Sequence, residues 1–256
     1  EYAGYVDFRQ DIGRLLTVDA GVRVDHQTQT GTEVVPQAGL SLHLPHDAGL
    51  KAMAARGFRN PTIREMFMFP PQNPDLRPES LWSYELSFEQ RLMDGRLSYG
   101  ANLFYIDGKN LIVRLRNPAG SGMLNQNSGK VENWGAELSL AYRFGPTWSV
   151  EGNYSWLHME HPVLAAPEHK LYAGLRFARG RWLASTGVQY VKGLYTELDA
   201  PKTEQYVLWD AQASFRAARW ATLYAKGENL LAQRYEVITG YPMPRATFTG
   251  GVRLHF

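Results

Sequence analysis

The stretch RATFTGGVRLHF, residues 245–256, decides the fold. Counting back in twos from Phe256 gives Leu254, Val252, Gly250 and Phe248, while the other parity carries His255, Arg253, Gly251, Thr249 and Thr247. Side chains on a strand alternate between its faces, so this is a strand with one oily side and one wet side. A soluble sandwich produces that pattern too. What separates the possibilities is how often the pattern recurs and what flanks it.

It recurs along the chain. Val18, Ala20, Val22 and Val24 alternate with Asp19, Gly21, Arg23 and Asp25, and Trp82, Tyr84, Leu86 and Phe88 alternate with Ser83, Glu85, Ser87 and Glu89. Trp134, Ala136, Leu138, Leu140, Tyr142 and Phe144 share a further face. Similar strands are read at 2–9, 40–44, 49–56, 97–105, 148–156, 171–177, 182–190 and 207–215, with 220–226 the least distinct. The total is about thirteen, each near the ~9–11 residues of a tilted membrane-crossing strand and longer than the ~5–6 of an average globular one. Long strands in simple succession favour an up-and-down antiparallel β-barrel over a sandwich.

Composition agrees. No run approaches the roughly 18 apolar residues of a spanning helix, which excludes a helical membrane protein but leaves a barrel open, because barrel strands hide their hydrophobicity in alternation. A net charge of +2 gives no argument for nucleic acid, and the absence of cysteine removes disulfide frameworks and thiolate metal sites. The opening EYAGYVDFRQ has neither a basic nor an apolar signal region, so a signal is expected to have been removed or the chain to start mid-protein.

Aromatic placement sets the side of the water. Trp148, Trp182 and Trp220 stand just after short turns and Phe144, Phe177 and Phe215 just before them, which predicts a belt at one level. Trp82, Tyr84, Trp134, Trp156, Tyr190 and Trp209, at the opposite strand ends, predict a second. Paired aromatic belts are what the two interfaces of a bilayer select. Arg143, Arg176, Arg216 and Arg253 all fall on the polar parity; on the lipid side each would cost up to ~2–4 kcal/mol near the midplane. Glu85, Glu137, Glu151, Asn153 and Asp210 share that parity, so the lumen is expected to be polar and hydrated. Short connections at 10–14, 45–48, 94–95, 145–147, 180–181 and 217–219 alternate with connections expected to be about six residues or longer. Outer-membrane barrels put short turns in the periplasm and long loops outside.

Two segments then bring a family into view. GFRNPTIREMFMFPPQNPDLRPESLWSYELSFEQ, residues 57–90, resembles the FRxP…NPxLxPE region of TonB-dependent outer-membrane receptors, and GENLLAQRYEVITGYPMPRATFTGGVRLHF, residues 227–256, resembles their C-terminal end. The resemblance implies a 22-stranded barrel with a plugged lumen, of which this chain would be the C-terminal part from about the tenth strand, a single incomplete domain without the plug or the energy-coupling box. It implies as partners outer-membrane lipid, the N-terminal plug and remaining strands, the TonB complex through the missing N-terminal region, and an iron chelate or similar ligand. The implied location is the outer membrane of a Gram-negative bacterium. No resident cofactor is expected.

Three segments offer ligand contacts. The proline-rich stretch 58–79 gives a stiff path presenting Ile63, Met66, Phe67, Met68 and Phe69, or else packing them against neighbouring loops. The stretch 110–133, read as an outer loop, carries Arg114, Arg116 and Asn125, suited to an anionic chelate through bidentate pairing. The segment 234–245 adds Tyr235 and Tyr241. His158, Met159 and His161 form a weaker candidate for metal, having ligand types that hold iron, copper or zinc. Haem receptors of this family commonly place an axial His between the two halves of the first motif; none lies between Phe58 and Glu79.

The leading expectation is uptake of a scarce large nutrient, an iron–siderophore complex first, with haem, cobalamin or a glycan as alternatives. A passive porin is the rival from another class. An outer-membrane enzyme lacks support, there being no Gly-x-Ser-x-Gly elbow.

Overall fold

The computed structural model describes residues 1–68, 70–198 and 201–255. They form one antiparallel sheet of thirteen strands in sequence order. The strands are β1 (Tyr2–Ile12), β2 (Leu16–Gln27), β3 (Gly31–Leu44), β4 (Ala48–Arg59), β5 (Glu79–Leu92), β6 (Leu97–Arg116), β7 (Met123–Phe144), β8 (Trp148–Met159), β9 (Pro167–Arg179), β10 (Trp182–Glu197), β11 (Lys202–Ala218), β12 (Ala221–Glu228) and β13 (Thr247–Leu254). A single helical turn, Arg64–Met68, interrupts them. The all-β, up-and-down reading is what the chain adopts.

Two compact units are distinguished, Glu1–Phe88 with Asn102–Trp134 and Met159–His161, and Glu89–Ala101 with Gly135–His158 and Pro162–Phe256. In the first, Val18, Val22 and Val24 of β2 oppose Leu40, Pro36 and Val34 of β3 on the apolar face. On the polar face Gln37 Nε2 donates to Asp7 Oδ1 at 3.2 Å across Gly21. A side chain at Gly21 would collide with both partners, so glycine opens the span that lets a pair two strands apart meet.

In the second unit the register joins aromatic to aromatic. Trp148 opposes Phe177 with ring centroids 4.8 Å apart, and Trp182 opposes Phe215 at 4.6 Å. Two contacts of the belt at the short-turn ends are therefore cross-strand aromatic pairs, each worth roughly 0.5–1.5 kcal/mol beyond its buried area. The opposite parity keeps its charge: Thr222 is the register partner of both Arg216 and Arg253. Thr186, on the apolar parity, accepts the Trp209 indole N–H at 2.7 Å and donates to the Asp210 carbonyl at 2.9 Å, so its hydroxyl is engaged both as donor and as acceptor.

Strands run further than alternation alone predicts. The expected loop of 110–133 is mostly ladder, since β6 reaches Arg116, β7 begins at Met123 and only 117–122 connects them. The connection between β2 and β3, expected to be long, is residues 28–30. Beyond the apolar band both faces of a strand are wetted, so a ladder persists while the hydrophobic period that announces it fades. The two longest connections are 60–78 and 229–246.

Polar-face packing also explains a pair of glycines. The Tyr172 ring lies over Gly174 and Gly187, where an added Cβ would sit 2.6 Å and 2.8 Å from its hydroxyl oxygen. Gly187→Ala is expected to lower stability by about 1–3 kcal/mol through overpacking, read from the urea midpoint of the detergent-folded protein. In a Tyr172→Ala background that cost should largely vanish, the coupling expected of a direct contact.

Candidate functional site

The segment 60–78 leaves β4 at Arg59 and rejoins the sheet at Glu79. Its first turn is a capping box: Glu65 N–H donates to Thr62 Oγ1 at 3.2 Å, and Glu65 Oε2 accepts from Thr62 N–H at 2.7 Å and from the Thr62 hydroxyl at 2.8 Å. That box seeds the helical turn Arg64–Met68.

Arg59 ties both ends of the segment together. Its Nη1 and Nη2 donate to the two Glu65 oxygens at 3.0 Å each, while Nε and Nη2 donate to the two Glu79 oxygens at 2.6 and 2.8 Å. Planar guanidinium geometry serves two bidentate carboxylates at once. Glu79 Oε1 also accepts the Ile112 N–H at 2.7 Å, which binds the fork to β6. Charge-assisted bonds from Arg59 hold Glu65 at about 2 and Glu79 below the usual carboxylate range, and both carboxylates raise Arg59.

Amide side chains lay the segment along the β6–β7 hairpin. Asn73 Nδ2 donates to Asn125 O at 2.7 Å, and Asn125 Nδ2 to Glu65 O at 2.8 Å. Asn127 accepts Arg77 N–H at 2.7 Å and donates to Arg77 O and Asn110 O, both at 2.8 Å. Asn125, offered by sequence as a ligand donor, gives one amide N–H to the Glu65 carbonyl. Met66 is buried at 3% exposure, Phe67 is half-buried and Met68 is 58% exposed, with Ile63 also exposed. Phe69 lies outside the described residues. Arg114 and Arg116 are exposed on β6, and among the described residues neither has a carboxylate partner. Two residues apart on a strand, they share a face.

The second long connection is fixed by Asn229, which is 5% exposed. Its amide donates to Gln233 O at 2.9 Å and Pro244 O at 3.1 Å, its Oδ1 accepts Gln233 N–H at 2.9 Å, and its own N–H reaches Asp210 at 2.8 Å. Tyr235 packs on Tyr206 with centroids 4.1 Å apart, against a buried cluster of Val191 and Leu194. Burial, then Asp210, raises the Tyr235 phenol. Tyr235, Arg234, Glu236, Lys202 and Arg245 line a charged cleft of ≈ 370 Å³. Tyr241 is exposed at 72%, away from that lining.

His158 and Met159 close β8 and, as neighbours on a strand, point to opposite faces; His161 follows in the connection. Among the described residues no group of three or more His, Asp or Glu is placed to hold a metal. Sequence reading missed the Arg59 fork and the Asn clamps. The T-x-x-E spacing of Thr62 and Glu65 was the available signal.

A family model described as TonB dependent receptor-like, beta-barrel, matches residues 1–230. The chain belongs to that family. Family members are outer-membrane transport receptors of Gram-negative bacteria. The chain is 24% identical over 246 residues to the metal-pseudopaline receptor CntO of Pseudomonas aeruginosa, covering 89% of this chain and 34% of that protein. It superposes on the siderophore receptor PirA from Acinetobacter baumannii with a TM-score of 0.84 at 14% identity, and on the copper transporter OprC with 0.78 at 16%. Those matches cover 99% of this chain and 45% and 49% of the respective structures. The chain therefore spans a third to a half of the length of these relatives.

The depressed Glu65 carboxyl contributes stability above the ordinary carboxylate range, near ~4.3, that is lost as pH falls toward about 2. Hydrogen exchange at the Thr62 and Ile112 amides, normalised to intrinsic rates, is expected to speed up across that acid window. In Arg59→Ala both amides should already exchange at least about tenfold faster at pH 7, as loss of charge-assisted bonds of ~1.5–3 kcal/mol requires.

Proposed function

We propose that the chain forms part of the barrel wall and ligand-facing loops of an outer-membrane receptor that takes up a chelated metal, an iron–siderophore complex first. The observation that carries this reading is the pair Arg114 and Arg116, exposed on the β6 extension and, among the described residues, without a carboxylate partner. Beside it the Arg59 fork and the Asn clamps hold the segment 60–78 in place, leaving Ile63 and Met68 exposed. A rigid platform with unpaired guanidinium groups and an apolar edge suits a large anionic chelate. Siderophore and metal-chelate uptake by similar proteins supports the same class.

In this reading the loops capture the chelate, and a plug within the complete barrel gates its passage, with energy coupling through the TonB complex. Metal stays inside the chelate as cargo, and His158, Met159 and His161 are not needed to hold it.

In the full receptor, Arg114→Ala/Arg116→Ala is expected to weaken binding of an anionic ferric siderophore by about tenfold or more, on ~1.5–3 kcal/mol per charged hydrogen bond, with lost growth on that iron source. Binding and growth that match the native receptor for every anionic chelate tested would contradict the assignment. A large open conductance of the full receptor in planar bilayers would favour a porin.

A further inference from the structure

The short-turn rim of β7 to β13 carries only positive charge. No Asp or Glu occurs in 138–150, 174–187, 211–225 or 249–255, yet these stretches hold seven arginines. Arg143, Arg176, Arg216 and Arg253 take the polar parity. Arg179, Arg181 and Arg219 are different: they stand in or beside the turns, are exposed, and among the described residues have no carboxylate partner. Arg179 is the register partner of Trp182 and shares the apolar parity of Phe177, which puts it at the foot of the lipid-facing side.

A groove opens on that same side, its lining reaching Phe177, which stands two residues before Arg179 on β9. It measures ≈ 870 Å³, with Leu175, Phe177 and Phe248 standing around a floor that includes Ala184, Ala213 and Ala225. Alanines register against alanines here, Ala184 with Ala213 and Ala213 with Ala225, so the depression crosses three strands. Thr186, the polar side chain of that parity in the lining, has its hydroxyl engaged by Trp209 and Asp210. Ser185, Gln212, Lys226 and Thr249, of the opposite parity, complete a lining that is otherwise apolar, and the groove is in the size range of a small-molecule site.

We propose that this face binds an anionic diacyl phospholipid of the periplasmic leaflet, its phosphate held by Arg179, Arg181 and Arg219 and an acyl chain lying in the groove. The inference rests on the membrane reading in which the short turns are periplasmic. Two features select this occupant. Three guanidinium groups without a carboxylate partner among the described residues, in stretches that hold no Asp or Glu, attract phosphate at headgroup depth. The groove begins where such a headgroup would end, between Phe177 and the Trp148 ring that also lines it. A protein partner would bury the arginines against acidic side chains and need no acyl-sized trough.

The test uses the full receptor in detergent, equilibrated with equal amounts of phosphatidylglycerol and phosphatidylcholine of matched chains, with retained lipid counted by native mass spectrometry. Retention of phosphatidylglycerol over phosphatidylcholine by about fivefold or more is expected, since each basic residue near the headgroups contributes appreciably. Arg179→Gln/Arg181→Gln/Arg219→Gln should abolish the preference, and Ala213→Phe should lower retention of both lipids by filling the trough. If the triple variant does not assemble, the native receptor in about 1 M salt, where the Debye length is about 3 Å, should lose the preference instead. Equal retention of both lipids by the native receptor, or a preference that survives both treatments, overturns the inference while leaving the membrane reading intact. Retention of neither lipid, in a protein that stays monodisperse without detergent, overturns both.

Discussion

Hydrocarbon offers no hydrogen-bond partner, so a backbone that crosses it must satisfy every N–H and C=O from within the sheet. Most features of this chain follow from that constraint. Thirteen neighbouring strands share ladders in sequence order, and within the apolar band charged side chains such as Arg176 and Asp210 take the parity opposite to Leu175 and Trp209. Thr186, on the apolar parity, is satisfied locally between the Trp209 indole and the Asp210 carbonyl. Aromatic pairs such as Trp148 with Phe177 and Trp182 with Phe215 then mark where the apolar band ends.

Above the band a different economy holds. Water is available, so connections need not be ladders, and order comes from charge and amides. Arg59 gathers Glu65 and Glu79 into a fork, and Asn73, Asn125 and Asn127 fasten the same segment to the hairpin. Asn229 does the equivalent for the last connection. Rigidity obtained this way leaves some side chains with nothing to hold. Arg114, Arg116 and Met68 are in that position, and recognition is proposed for them.

The membrane part of the fold was legible because period-two alternation is strong wherever one face meets lipid: the parities of β2, β5, β7 and β13 follow directly from Val18, Trp82, Trp134 and Phe248. It failed where both faces are wet. The upper half of β7, from Met123 to Asn133, has no apolar period, and its asparagines suggest a loop although they sit on a ladder. For the candidate site, residue types were legible and their employment was not. Asn125 and Arg114 look equally free in the sequence, and only the tertiary approach of Glu65 shows that one amide is already committed. The basic rim was visible as composition, but its groove depended on strand register.

The central claim, that the two parities face lipid and water, is tested most directly on β8. Single nitroxide labels placed in turn from 149 to 155 in the full receptor report collision with oxygen, which favours hydrocarbon, against collision with a water-soluble nickel chelate. Positions 150, 152 and 154 should favour oxygen and positions 149, 151, 153 and 155 the chelate, a strict period of two. Uniform access to the chelate, or alternation in the opposite phase, would contradict it.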